Sequence, residues 1–114
     1  MLITTMEMIS CTHNSPTLQV SFSKDIIPIL TTSCTISSSC HVGANGLNLQ
    51  TNFDSDSAYY TLFAKNLVST SNPSSSLLYV EVRTNEMPLQ PFSPLPLSQQ
   101  NLILEWIEQG ALNN

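Results

Sequence analysis

The sequence predicts an all-α domain of three to four short helices that are joined by long loops. Apolar side chains recur at i, i+3 and i+4 spacing in the stretches that begin near residues 23 and 98. Capping residues and prolines mark the boundaries of these stretches. Apolar residues make up 41% of the 114-residue chain, which suffices for one modest core and therefore predicts a single domain.

The first predicted helix runs from about Ser23 to about Ser33. Ser23 is the expected N-cap, and Asp25 lies in the first turn, where a carboxylate is favoured by the positive end of the helix dipole. Pro28 falls near the start, where a helix tolerates proline. The stripe expected to face the core consists of Ile26, Ile29 and Leu30.

A long loop and a second helix are predicted next. Gly43 and Gly46 interrupt residues 34–49, so this stretch is expected to be a loop. The second helix runs from Asp54, where Asp54 or Ser55 is the cap, to about Asn66. Its predicted core-facing residues are Tyr59, Leu62 and Phe63.

A short third helix is predicted after the break at residues 72–74, with Ser74 as its cap. A strand is an alternative prediction for residues 79–82, because this stretch contains β-branched side chains. Leu77, Leu78 and Val82 form its expected apolar face.

The last helix follows a stiff, extended loop, which four prolines predict for residues 87–97. Ser98 is the expected cap of this helix, and Gly110 is suited to end it. Its core face pairs Leu102 with Trp106 and Ile103 with Ile107 at i, i+4 spacing. Trp106 is therefore expected to be a core residue.

The charge balance excludes several functions. Three Lys and Arg against eight Asp and Glu give a net charge of −5. Neither nucleic-acid binding nor a polybasic membrane patch is expected, because both need a basic face. No apolar run approaches the ~18 residues of a membrane span. No acid–base pair or triad is recognisable, so we do not expect an enzyme.

The N-terminal segment contains a candidate lipid anchor at Cys11. Residues 8–11 read Met-Ile-Ser-Cys, which resembles a bacterial lipobox, whereas residues 12–19 have the composition of a tether. The apolar stretch before Cys11 is short, contains Glu7 and lacks positive charge, so we expect the true n-region upstream of it. An ordinary tail with a buried or free Cys11 stays open. We therefore divide the chain into a signal remnant with tether, 1–19, and a domain, 20–114.

One motif indicates a cofactor-binding site. Cys34, Cys40 and His41 form the pattern C-x5-C-H. The usual haem attachment signal is C-x-x-C-H, in which two thiols bind the porphyrin vinyls and the adjacent His binds the iron. The Cys-His adjacency is intact here, and the small residues 35–39 could bulge out between the two thioether positions. Met87 is the only Met outside the N-terminal segment, and its thioether is a soft ligand suited to haem iron.

From Val20 onward the chain resembles the small class I cytochrome c domains of bacterial cell-envelope proteins, especially the lipoprotein-like and planctomycete-type ones. The resemblance covers about residues 20–112 and follows the order F-x-x-D-I-x-P-I, Cys-His and Met-Pro. It ends with the helix that carries Leu97-Ser98, Ile103, Trp106-Ile107 and Gly110-Ala111.

The resemblance implies a class I cytochrome c fold, wrapped around one haem c, in which the first and last helices cross. It implies thioethers at Cys34 and Cys40, with His41 and Met87 as axial iron ligands. The implied function is electron transfer with redox partner proteins of the cell envelope, in the periplasm or at the cell surface. The x5 spacing departs from the family pattern and leaves open whether Cys40 alone holds the haem. The net charge predicts a basic docking patch on the partner, with rates that fall as salt rises.

Several alternatives stay open at this stage. Cys34 and Cys40 could form a disulfide, or bind zinc together with His41, Cys11 and His13. Met87 could be a core residue, with His13 or an open position on the distal side. The domain could instead be a structural or interaction subunit of an envelope or filamentous assembly, in which haem stabilises the fold. Tyr59, Tyr60 and Tyr79 are expected in the core or at a haem edge.

Overall fold

The computed structural model describes residues 18–34, 56–88 and 90–114. These parts of the chain contain four helices and no strand, which confirms the all-α prediction for them. The predicted loop at 34–49 lies outside the described residues except for Cys34. We name the helices α1 (22–34), α2 (Asp56–Ala64), α3 (Leu77–Arg83) and α4 (Leu97–Glu108).

Helix α1 changes its winding around a proline. Its ends, Phe22–Ile26 and Leu30–Cys34, are π-helical, and Ile27–Ile29 between them is α-helical. Pro28 lacks the N–H that an α-helix needs in its interior, and its ring crowds the preceding turn. Wider turns on both sides let the helix continue through the proline. The predicted stripe is confirmed, because Ile26, Ile29 and Leu30 are buried.

The N-cap of α1 is Ser21, so the prediction of Ser23 was wrong by two residues. The Ser21 hydroxyl accepts the backbone N–H of Lys24 at 3.1 Å, and the Asp25 carboxylate accepts the backbone N–H of Ser21 at 2.7 Å. This reciprocal pair is a variant of the capping box. Ser21 has the extended backbone that a cap requires. Asp25 lies in the first turn as predicted.

The last residue, Asn114, is bonded to the start of α1. Its Oδ1 accepts the N–H of Phe22 at 2.8 Å, and its backbone oxygen accepts the N–H of Ser23 at 2.9 Å. Its Nδ2 donates to the carbonyl of Val20 at 3.2 Å. These contacts satisfy N–H groups that no earlier helical turn could reach.

Two other predicted caps were also wrong. Helix α3 begins after Ser76 rather than Ser74, because Pro73–Ser75 first form a separate 3₁₀ turn. Helix α4 begins directly after Pro96, which places Ser98 inside its first turn. A prolyl ring already holds φ near the helical value, so it can precede a helix without a hydroxyl cap.

The predicted helix faces are largely confirmed. The strand alternative for residues 79–82 is wrong, because α3 covers them. Leu77 is 47% exposed and so does not face the core as predicted. The predicted residues that are buried are Leu62, Leu78, Val82, Ile103, Trp106 and Ile107, and those half-buried against the core are Tyr59, Phe63 and Leu102. Gly110 has φ +105° and follows the end of α4, as predicted.

An aromatic cluster joins α1, α2 and α4. The ring centroids of Phe22 and Trp106 lie 5.0 Å apart, and those of Phe22 and Tyr59 lie 5.3 Å apart. Trp106 is fully buried, and its indole N–H donates to the carbonyl of Leu112 at 2.9 Å. Burial, and to a lesser extent Tyr60, raises the pKa of Tyr59, whose hydroxyl donates to the carbonyl of Ala111 at 2.8 Å.

Helix α4 contacts the start of α1. At one end Phe22, the first residue of α1, contacts Trp106 near the end of α4. At the other end Ser33 of α1 and Gln99 of α4 line the same cleft. The first and last helices are therefore in contact, whereas the crossing that the resemblance implied stays a prediction.

The bonds of Asn114 predict a stability effect. We expect Asn114→Ala to lower the free energy of unfolding by about 1–2 kcal/mol, because it removes a capping acceptor from the start of α1. Denaturant unfolding followed by Trp106 fluorescence measures the change. Asn113→Ala is the matched control, since Asn113 donates only to the exposed Asp56 carboxylate at 2.9 Å. Equal effects of the two variants would contradict the capping role.

Candidate functional site

The candidate site begins at the C-terminal end of α1, where Cys34 is the last residue. Cys34 is half-buried and packs against the core. One turn earlier the Thr32 hydroxyl donates to the carbonyl of Pro28 at 2.8 Å and so stabilises this end of the helix. Cys40 and His41, the other two residues of the motif, lie outside the described residues.

Met87, the predicted distal ligand, lies in the turn that follows α3. Asn85 adopts a left-handed conformation with φ 64° and its N–H bonds the carbonyl of Val82 at 3.3 Å. The N–H of Met87 then bonds the carbonyl of Glu81 at 3.0 Å, so its backbone is tied to the last turn of α3. The Met87 side chain is half-buried, and Pro88 after it is buried.

An open cleft of about 440 Å³ lies between the end of α1 and the proline-rich loop. This volume is within the ~300–1,000 Å³ that is common for small-molecule sites. The loop from Pro88 to Pro96 contains no helix among its described residues, as the four prolines predicted. The lining residues are Thr32, Ser33, Pro88, Phe92, Ser93, Pro94, Pro96 and Gln99.

The cleft brings together the neighbours of two predicted haem-binding residues. Ser33 directly precedes Cys34, and Pro88 directly follows Met87, although these pairs are far apart in the sequence. The proline-rich loop leads directly into α4, which in turn contacts the start of α1. The structure therefore brings the flanks of Cys34 and Met87 to one cleft, while Cys40 and His41 lie outside the described residues.

The cleft lining combines apolar and polar side chains. Phe92 and three of the prolines supply apolar surface, and hydroxyl groups of Thr32, Ser33 and Ser93 supply polar contacts. Apolar walls with a few polar groups are the usual composition of a cofactor site. The sequence analysis did not identify Phe92 as a site residue; it could have been found as the only aromatic residue of the proline-rich loop.

No metal centre is formed by the described residues themselves, since no three of their His, Cys, Asp and Glu side chains come together. Both histidines, His13 and His41, lie in the parts of the chain that are not described, as do Cys11 and Cys40. The zinc alternative and the distal role of His13 therefore stay untested. None of the helices in the described ranges has the length and hydropathy of a membrane span.

Comparison with protein-family models, with characterised proteins and with solved structures found no match. The resemblance to class I cytochrome c domains therefore rests on the sequence motifs alone.

Proposed function

We propose that this chain is an electron-transfer protein that carries one covalently bound haem c in a class I cytochrome c fold. In this proposal His41 and Met87 would bind the haem iron, which would supply a one-electron Fe(II)/Fe(III) couple. Cys40, with or without Cys34, holds the haem through thioether bonds. The observation that supports the proposal most strongly is the cleft flanked by the neighbours of Cys34 and Met87.

The helical packing restrains two of the proposed haem-binding residues, Cys34 and Met87. Cys34 is the last residue of α1 and packs against the core. The backbone bond from Met87 to Glu81 restrains the distal side in the same way. Restrained ligands reorganise little when the iron changes oxidation state, which favours rapid electron transfer.

The residues of the cleft then control the environment of the iron. When bound, haem would supply a one-electron redox centre whose potential depends on its axial ligands and on burial. Phe92 and the prolines of the loop would exclude water from one side of that centre. A Met ligand opposite a His raises the reduction potential, so we propose a carrier at the high-potential end of the haem range.

We further propose that the protein works in the bacterial cell envelope, in the periplasm or at the cell surface, with a lipid anchor at Cys11. Haem attachment to cysteine thiols supports an extracytoplasmic site, and the lipobox-like residues 8–11 support the anchor. Its partners would be redox proteins of the same compartment.

The axial role of Met87 predicts a change in potential. We expect Met87→Ala to lower the reduction potential by on the order of 0.1 V, a fraction of the ~0.8 V range that axial ligands control. The vacated position should also bind added imidazole, which the absorption spectrum reports. Leu18→Ala is the control, because the Leu18 side chain is 87% exposed. A Met87→Ala protein with unchanged potential would contradict the ligand role of Met87 and favour an open distal position.

The thioether bonds predict a second set of outcomes. We expect Cys34→Ala to keep covalent haem through Cys40, which adjoins His41. The double variant Cys34→Ala/Cys40→Ala should release its haem into acidified acetone, whereas the control Cys11→Ala should not. The pyridine haemochrome spectrum of the unsubstituted protein shows whether one or two vinyl groups are bonded. Release of haem from the unsubstituted protein would contradict covalent attachment.

A further inference from the structure

The aromatic cluster that joins α1, α2 and α4 continues to the protein surface. The ring centroids of Trp106 and Tyr59 lie 6.3 Å apart, and those of Tyr59 and Tyr60 lie 5.4 Å apart. Both separations are within the ~4.5–7 Å of aromatic rings in contact. Trp106 is fully buried, whereas Tyr60 is 63% exposed. A row of three rings therefore leads from the core to solvent.

The three side chains differ in what can take their polar proton. The Trp106 N–H donates to the carbonyl of Leu112 at 2.9 Å, and the Tyr59 O–H donates to the carbonyl of Ala111 at 2.8 Å. A backbone carbonyl accepts a hydrogen bond but is too weak a base to remove the proton. The Tyr60 side chain is exposed, so water can take its phenol proton.

This difference decides where the loss of one electron is most favourable. An indole can lose an electron and keep its N–H proton as a radical cation, whereas a phenol that loses an electron must also lose its proton. At neutral pH a phenol whose proton can leave is easier to oxidise than an indole. Among the three rings Tyr60 meets this condition, while Tyr59 holds its proton against a carbonyl and serves as the bridge.

We propose that Tyr59 and Tyr60 form a relay that moves one-electron oxidation away from Trp106. A diffusible radical oxidant takes one electron from the Trp106 indole and becomes its anion. Tyr60 then gives one electron to Trp106 across the ring of Tyr59, and the Tyr60 phenol proton passes to water. A soluble reductant of the ascorbate class finally returns one electron and one proton to Tyr60. The inference goes beyond the proposed function, since none of these residues is a proposed haem ligand.

The relay would protect a contact that the fold needs. Trp106 is fully buried and packs against Phe22 at 5.0 Å between ring centroids. Oxygenation of its indole would put new polar atoms into a closed apolar site, where polar groups without partners destabilise the fold. Oxidation at the exposed Tyr60 disturbs no core packing, and a reductant in solution can reach it.

The test starts the oxidation at Trp106, which is the only tryptophan of the chain. The full chain is irradiated with ultraviolet light at the red edge of the indole band, which tryptophan absorbs and tyrosine does not. Nitrous oxide takes up the ejected electron, and tert-butanol removes the hydroxyl radical that this reaction forms. Electron paramagnetic resonance of rapidly frozen samples then distinguishes a tyrosyl radical from a tryptophan radical. We expect a tyrosyl radical, and a signal from tryptophan alone would overturn the inference.

Three variants that lose only a hydroxyl group locate the path. We expect Tyr60→Phe and Tyr59→Phe to lose the tyrosyl signal and leave the radical on Trp106. Tyr79→Phe should keep the signal, because Tyr79 lies on α3 with its ring 5.7 Å from the Arg83 guanidinium carbon. Retention of the signal in Tyr59→Phe or in Tyr60→Phe, or its loss in Tyr79→Phe, would overturn the inference.

A second readout measures the protection itself. After irradiation in air, mass spectrometry of peptides gives the fraction of Trp106 that is oxygenated. We expect ascorbate to prevent this loss in the unsubstituted protein and in Tyr79→Phe, but not in Tyr60→Phe. Equal protection of all three proteins would overturn the inference. The circular dichroism of each variant before irradiation verifies that the helices are intact.

Discussion

The packing of Trp106 against Phe22 is the contact on which the rest of this structure depends. It joins the end of α4 to the start of α1, and Asn114 strengthens the junction by capping α1. Residues from the end of α1, from the proline-rich loop and from the start of α4 line one cleft.

The described lining of the cleft contains no charged side chain. Its residues come from two stretches, 26–53 and 87–104, that contain no Asp, Glu, Lys or Arg, and Glu86, two residues before Pro88, is exposed. If haem binds in this cleft, the uncharged lining would disfavour the additional positive charge of Fe(III). The reduction potential would therefore be high, as a Met ligand also makes it.

Much of the helical structure could be predicted from the sequence, because local spacing determines it. The stripe of Ile26, Ile29 and Leu30 and the pairing of Ile103 with Ile107 identified buried faces correctly. The caps were harder, since Ser21 and Ser23 are equally good by composition and tertiary contacts with Asn114 decide between them. The cleft could not be predicted in detail, because Phe92 and Gln99 become neighbours of Ser33 only through the pairing of α1 with α4. The roles of Cys40 and His41 stay predictions.

The most direct test of the central claim is the visible absorption spectrum of the protein, produced in a host that matures c-type cytochromes. The account predicts a coloured protein with a sharp α band after reduction with dithionite. It also predicts, after oxidation, a weak band near the red end of the spectrum, which is typical of a Met sulfur on haem iron, and which Met87→Ala should abolish. A colourless protein from such a host, with Cys40 and His41 intact, would contradict the account.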